Sequence, residues 1–302
     1  NLPWGEATIH PLPNYDVTLR RIKADKGIAV TSEAVVKVPS KASFPDIVEK
    51  VNELCCLLSL ARGTKINWIN VELVGDDGDT AHAILKNSVT WPFSSLNLID
   101  DQTPNDTPLF IEKAYPAYLK YRDMYNLDIA IEQYLDAKRE TAYLETRGLA
   151  AVALIDSLQQ SYASENGIAE IVKGFGQQAD KVREHLKSSI KAVFPNIKDE
   201  ELHEMLQKIR ELNRRSFLNL LTVWTHDLDL QITDSELTAV KDTRNSLAHK
   251  MRFKSIEQEG KVREYFRLIN LINQVFLKLL GYTGHFIHVD LETLAFKRKI
   301  LT

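Results

Sequence analysis

The stretch TDSELTAVKDTRNSLAHKMRFK, residues 233–254, predicts a helix with one apolar face and one polar face that carries an amide and an imidazole, with an arginine nearby. Thr233 and Glu236 have the spacing of a capping box, in which each side chain accepts a hydrogen bond from the other residue's backbone N–H, so a helix should start there. The apolar residues that follow recur at helical spacing and should face a core; they are Leu237, Val240, Leu247 and Met251. The helix therefore belongs to a packed helical domain.

The polar face of this helix carries side chains that suit a phosphodiester. Asp242, Asn245 and His249 are three and four residues apart and share one face. Arg244 lies about 140° from His249 around an ideal helix but close to it along the axis. A groove between them would hold a fixed cation, an amide and a side chain that titrates near neutral pH. Metal-free RNA cleavage needs a base, an acid and a cation for the phosphoryl charge.

A single copy of the helix supplies too few groups for this chemistry, because one histidine is poorly suited to act as both base and acid. Two helices that meet across a symmetric homodimer would supply the missing group. The basic residues Lys250, Arg252 and Lys254 would then bind the RNA backbone in a salt-dependent way. The formal net charge is −3, so RNA binding depends on this local patch rather than on the overall field.

The segment RNSLAH, Arg244 to His249, followed by a basic residue, resembles the R-x4-H signature of the HEPN family of helical nucleotide-binding and ribonuclease domains. In that family, Asn directly after the Arg is a frequent variant. The leading helix in YLETRGLAAVALIDSL (143–158) and the closing LINQVFLKLLGY (271–282) are similar to the bundle of Apea-like HEPN proteins. The resemblance covers roughly residues 115–290, and the front half is more loosely similar to the domain found beside that bundle.

This resemblance implies a dimeric, metal-independent endoribonuclease, typically a growth-arresting toxin of anti-phage defence (abortive infection). Arg244 would stabilise the phosphate, His249 would be the general acid or base, and Asn245 would orient His249 or the substrate. Some HEPN toxins carry a tyrosine two positions after the histidine as a site of neutralising modification. Met251 occupies that position here, so we do not expect that route of control. The expected partners are RNA, a second copy, and a regulatory protein or phage trigger.

Two other interpretations of these residues stay open. The polar face can be an ordinary solvated surface, and the domain can be a non-catalytic nucleotide- or RNA-binding and dimerisation module of a defence or signalling complex. An Arg/His pair with Asn245 beside it favours the enzyme over a pure dimerisation domain. Glu145 and Asp156 share a face of the leading helix and could lie near the cleft. Acids on long helices are usually solvated or paired, so we leave both out of the catalytic set.

The 302 residues, 44% hydrophobic and 26% charged, suffice for two domains, and the predicted fold class is α+β. Residues 1–112 should form a β-rich N-terminal domain with a sensory or regulatory role. Its expected features are strands in DVTLRRIKA (16–24) and GIAVTSEAVVKVP (27–39), a hairpin around GDDGD (75–79), and a helix between Pro45 and Gly63. The stretch DDQTPNDTP (100–108) reads as a linker.

Residues 113–302 should form an all-α, HEPN-like domain. Residues 126–162 predict one long helix, or two helices joined near Gly148. Further helices are expected at 177–193, 199–224 and 258–280, the last ending at Gly281.

We expect no metal and no cofactor. His285 and His288 have spacing that could bind a metal, but no cysteine or carboxylate cluster accompanies them, which favours structural roles. Cys55 and Cys56 lie in an apolar helical run and are expected to be reduced core residues, which suits a cytoplasmic location. No uninterrupted apolar run approaches the roughly 18 residues of a membrane helix, so we expect no membrane association.

Overall fold

The protein was analysed as a computed structural model that describes residues 2, 5–11, 17, 20, 32–37, 42–74, 80–84, 97–100, 103, 105–208 and 213–301. This part of the chain is mostly helical, with small antiparallel sheets. Its helices are α1 (Phe44–Arg62), α2 (Asp106–Tyr125), α3 (Leu127–Ala137), α4 (Leu144–Glu165), α5 (Phe175–Val193), α6 (Asp199–Gln207), α7 (Phe217–Asp227), α8 (Asp234–Lys250) and α9 (Gln258–Leu279). Its strands form three antiparallel pairs: β1 (Glu6–Pro11) with β2 (Ser32–Lys37), β3 (Asn70–Val74) with β4 (Thr80–Ile84), and β5 (His285–Val289) with β6 (Phe296–Ile300).

The front of the chain contains the helix and the hairpin that the sequence predicted. Ser43 caps α1, and Gly63 ends it with a φ of 62°, a left-handed conformation that glycine adopts without steric cost. Strands β3 and β4 flank the predicted turn at 75–79, which itself lies outside the described residues. The strand predicted in 27–39 corresponds to β2, and the one predicted in 16–24 falls largely outside the described residues.

The predicted linker and domain boundary do not coincide with a break in the structure. Helix α2 starts at Asp106, so residues 106–108 of the predicted linker form its first turn, and the boundary between 112 and 113 falls inside the helix. Proline is tolerated in a first turn, because the N–H groups there have no intrahelical partner. Pro108, the third residue of α2, is therefore compatible with a helix instead of a linker.

The predicted helix at 126–162 is two helices, but the break lies between Ala137 and Leu144 rather than near Gly148. Gly148 is inside α4, and a Cβ at that position would lie 2.6 Å from Phe253 Cζ and 3.0 Å from Leu247 Cδ1. The glycine thus permits close packing and does not break the helix.

The single helix predicted at 199–224 is also two helices, α6 and α7. The Ser216 side chain accepts the Asn219 N–H at 3.2 Å and caps the start of α7, since serine is a favoured N-cap residue. The helix predicted at 177–193 corresponds to α5, with the same last residue.

The C-terminal region is not all-α as predicted, because β5 and β6 follow α9. Helix α9 itself agrees with the predicted 258–280, and Gly281 follows it with a φ of 67°. The hairpin is held against α9 by Asn270, whose side chain donates to Val289 O at 2.7 Å and accepts the Val289 N–H at 3.0 Å. This long-range contact has no local signature in the sequence.

The chain forms two compact units, one made of residues 1–155 with 242–302 and the other of residues 156–241. Aromatic residues dominate the core of the first unit, in which Tyr115, Tyr118, Tyr134, Tyr265 and Phe276 are fully buried. The second unit buries Leu220, Leu221 and Trp224 on α7, and a separate apolar cluster joins α5 and α6. Within the described ranges, no helix has the length and apolar character needed to span a membrane.

Candidate functional site

Helix α8 starts where its sequence predicts but ends at Lys250, four residues before the end of the predicted stretch. The Thr233 N–H donates to Glu236 Oε2 at 2.9 Å and the Glu236 N–H donates to Thr233 Oγ1 at 3.3 Å, so the capping box is present. At the other end, Met251 adopts a φ of 55° and its N–H donates to Leu247 O at 2.9 Å. A left-handed residue at this position ends a helix and redirects the chain. The motif therefore occupies the last two turns of α8.

The apolar stripe of α8 is shorter than predicted. Leu237, Val240 and Leu247 are buried, with exposed fractions of 3%, 2% and 0%. Met251 was predicted to continue this stripe, but it is 67% exposed because the helix ends before it. The Met251 side chain is thus exposed directly after the end of α8.

The three predicted catalytic residues lie on the accessible side of α8. Arg244 is half-buried, whereas Asn245 and His249 are exposed. The Arg244 guanidinium donates through Nη1 to Asn245 Oδ1 at 3.2 Å. Asn245 and His249 are four residues apart and neighbour one another on the helix surface. The structure thus links Arg244 to Asn245 and leaves the imidazole facing outward.

The three predicted RNA-binding cations, Lys250, Arg252 and Lys254, are all exposed, and we call them the basic segment. Between the last two, Phe253 is 2% exposed and packs against Gly148, which anchors the chain directly after α8. Lys254 Nζ lies 3.1 Å from Asp242 Oδ2. One cation of the basic segment is therefore paired with a carboxylate of α8.

Glu264 on α9 is a residue that the sequence analysis did not single out. Its Oε2 accepts the Lys254 N–H at 2.9 Å and its Oε1 accepts the Ser255 N–H at 2.7 Å. The buried Thr243 hydroxyl donates to the same Oε2 at 3.4 Å. One carboxylate thus connects α9, the loop after α8, and α8 itself. Nothing in the local sequence distinguishes Glu264 from Glu259, the other acid of α9.

The start of α4 is tied to the start of α9. Lys261 Nζ donates to Glu145 Oε1 at 3.0 Å, and this hydrogen bond lowers the pKa of the Glu145 carboxyl from its usual value. Glu145 is thus an ion-paired acid, in agreement with the expectation that acids on this helix are solvated or paired. Asp156 belongs to the other compact unit.

The two histidines with metal-compatible spacing, His285 and His288, lie in β5 and are half-buried. Among the residues that the structure describes, no group of three His, Cys, Asp or Glu side chains has an arrangement that could hold a metal ion.

The two cysteines of α1 are free thiols and half-buried. Burial raises the pKa of Cys55 to about 11 and that of Cys56 to about 12, so both thiols stay protonated near neutral pH. Protonated thiols are poor nucleophiles. These residues therefore do not form a reactive site.

A buried polar cluster joins α3, α4 and α9. Lys138 is 1% exposed, and its Nζ donates to the Tyr134 hydroxyl at 2.9 Å, which in turn donates to Asn273 Oδ1 at 2.8 Å. Burial, together with the nearby Arg147 charge, lowers the pKa of Lys138 to about 7. Arg147 itself donates to the Tyr265 hydroxyl at 2.7 Å. The cluster supports the packing of α4, from which Gly148 contacts the residues around the motif.

An open cleft of about 340 Å³ lies in the first unit, next to an ion-pair network that joins α1, α2 and α3. Arg122 is central to this network: it lies 2.9 Å from Glu49, 3.2 Å from the buried Glu53 and 2.9 Å from Asp128. Because its guanidinium forms ion pairs with three carboxylates, Arg122 stabilises the packing of α1, α2 and α3. We therefore assign no chemistry to this cleft.

Comparisons of the chain with protein-family models, with curated proteins and with solved structures found no match.

Proposed function

We propose that this protein is a metal-independent endoribonuclease of the HEPN type. The observation that carries the proposal is the composition of the end of α8. Arg244, hydrogen-bonded to Asn245, lies one to two turns before the exposed His249, and the basic segment follows directly. A guanidinium suits phosphate oxygens, an imidazole transfers protons near neutral pH, and further cations bind the backbone on either side.

In the proposed reaction, the RNA 2′-hydroxyl is the nucleophile. His249 of one copy accepts its proton while the 2′-oxygen attacks the adjacent phosphorus, and the bond to the 5′-oxygen breaks. That oxygen takes a proton from the protonated His249 of a second copy, which leaves a 2′,3′-cyclic phosphate and a 5′-hydroxyl. Arg244 stabilises the phosphoryl charge, and Asn245 orients the guanidinium or the substrate. The site is therefore composite, formed by a homodimer.

The biological role that fits this activity is a growth-arresting toxin of anti-phage defence that acts in the cytoplasm. Uncontrolled RNA cleavage would arrest the cell that produces it. Residues 1–112 are then the part of the chain that senses a phage trigger or a regulatory protein. Growth curves of bacteria that express the chain or its His249→Ala variant test this role, and equal growth arrest by both would contradict it.

The enzymatic test is RNA cleavage by purified protein in EDTA. We expect 2′,3′-cyclic phosphate ends, no cleavage of DNA, and a loss of roughly 10²- to 10⁴-fold in His249→Ala, the range typical of positioned proton transfer. His226→Ala is the matched control, because the His226 side chain is 88% exposed and lies on another helix. Cleavage that requires Mg²⁺, or that is unchanged in His249→Ala, would refute the proposal.

Light scattering tests the composite site, since a protein that stays monomeric at micromolar concentration and still cuts RNA does not need a second copy.

A second candidate function is a non-catalytic RNA- or nucleotide-binding and dimerisation module. It is favoured by the exposed basic segment after α8, which can bind a nucleic-acid backbone without any proton transfer. Such a module would bind RNA without cutting it, and His249→Ala would leave its affinity unchanged.

A further inference from the structure

We propose that Glu264 on α9 is a positioning residue that holds the basic segment in its RNA-binding arrangement. This inference rests on the proposed ribonuclease function and adds a residue that the R-x4-H motif does not contain. Glu264 does not contact the substrate in this scheme. It acts through the loop that carries Arg252 and Lys254.

The geometry of the carboxylate supports this role. Its two oxygens accept the N–H groups of two consecutive residues, Lys254 and Ser255, at 2.9 and 2.7 Å. These residues lie between α8 and α9, where no helical hydrogen-bonding pattern is available to their N–H groups. Hydrogen bonds to an ionised acceptor are roughly twice as strong as neutral ones. Glu264 therefore fixes the backbone of this loop.

The same carboxylate also connects the loop to the motif helix. Thr243, 2% exposed and adjacent to Arg244, donates its hydroxyl to Glu264 Oε2 at 3.4 Å. Phe253 is buried, so the neighbouring Arg252 and Lys254 side chains are directed to the surface. Loss of the Glu264 contacts would keep all three positive charges of the basic segment. It would, however, leave the loop that carries Arg252 and Lys254 without its fixed conformation.

The direction in which Glu264→Gln changes RNA binding distinguishes a positioning role from a purely electrostatic effect. Replacing Glu264 by Gln removes a negative charge near the proposed RNA path, which by charge alone should strengthen binding of a polyanion. The amide also has one acceptor oxygen where the carboxylate has two, so its NH₂ group must face a backbone N–H donor. We therefore expect Glu264→Gln to bind RNA more weakly, although its charge has become more favourable.

The experiment is steady-state cleavage of a labelled RNA in EDTA by the wild type, Glu264→Gln and Glu257→Gln. Glu257 is exposed and precedes α9, so its variant removes the same charge from the same region without touching the two N–H groups. We expect the KM of Glu264→Gln to rise roughly tenfold, as the loss of a charge-assisted hydrogen bond predicts, with kcat changed less than about twofold. Glu257→Gln should keep or lower KM. Partial unfolding would instead lower kcat at constant KM.

Ser255→Pro is a second variant, because it deletes the 2.7 Å hydrogen bond and leaves the Glu264 charge in place. It should also raise KM, and amide hydrogen exchange in peptide 251–257 should become faster in both variants. An unchanged or lower KM in Glu264→Gln and Ser255→Pro, while the wild type cuts RNA, would overturn this inference alone. A wild type that cuts no RNA would overturn the proposed function and this inference with it.

Discussion

Lys254 Nζ lies 3.1 Å from Asp242 Oδ2, so a cation expected to bind RNA is paired with a carboxylate of the motif helix itself. Asp242 is about one turn before Asn245 and about two turns before His249 on the polar face that the sequence predicted. An RNA phosphate that binds Lys254 must compete with this carboxylate. The ion pair between Asp242 and Lys254 should therefore lower the affinity for RNA slightly.

Asp242→Asn should lower the KM for RNA by roughly two- to fivefold at low salt, because exposed ion pairs contribute only modest free energies. The gain should disappear at high salt, where charges are screened. Asp234→Asn removes the same charge from the first turn of α8, about two turns before Asp242, and is the control. A gain that persists when Lys254 is also replaced by Ala would contradict competition for that lysine.

Arg244→Ala should reduce kcat for RNA cleavage by about 10²-fold or more, as expected for loss of a group that stabilises developing charge. Arg244→Lys should restore little, because an ammonium lacks the planar fork of the guanidinium.

Asn245→Ala should have a milder effect than Arg244→Ala, since it removes only the partner that accepts from Arg244 Nη1 at 3.2 Å. Single-turnover cleavage of one RNA by the Arg244 and Asn245 variants measures both effects. Full activity in Arg244→Lys would show that a simple positive charge suffices.

Gly148→Ala should destabilise the protein by about 1–3 kcal/mol, the usual effect of overpacking a core. The added Cβ would lie 2.6 Å from Phe253 Cζ, and Phe253 is buried and cannot swing away. Gly176→Ala in α5 is the control, because no atom lies within 4 Å of its added Cβ and alanine is the better helix former. Urea unfolding measures the stability of both variants. A midpoint of Gly148→Ala equal to that of the wild type would show that α4 can move away from Phe253 without loss of stability.

Lys138→Met should stabilise the protein, most strongly at pH 7 and below. In the folded protein, the pKa of Lys138 is lowered from 10.5 to about 7, so the unfolded chain binds more protons between these values. The free energy of unfolding of the wild type should therefore rise with pH across this window, by at most roughly 1.4 kcal/mol per pH unit from this group.

The measurement for Lys138 is urea unfolding of the wild type and Lys138→Met between pH 6 and pH 9. The difference between them should be largest at the acidic end and shrink towards pH 9. Lys120→Met, a substitution of an exposed lysine, should follow the wild type across the range. Parallel curves for the wild type and Lys138→Met would show that the Lys138 amine does not titrate as described.

Local signals predicted several elements correctly, because their causes lie within a few residues. The capping box of Thr233 and Glu236, the Gly63 terminus of α1 and the Gly281 terminus of α9 each predicted a helix boundary. The incorrect predictions have long-range causes. Gly148 is a packing glycine because of Phe253, more than a hundred residues away in sequence, and β5 is held to α9 by Asn270.

For the candidate site, the sequence by itself determined which residue types occur at which spacing: Arg244, Asn245 and His249 at the end of a capped helix, followed by three cations. Helical periodicity fixes those relationships without reference to the rest of the chain. Only the tertiary structure decided that Asp242 pairs with Lys254 and that Glu264 fixes the loop after the helix. The physical reason is that these contacts join residues separated by turns or by a second helix, and their partners are set by how α8 and α9 pack rather than by any local pattern.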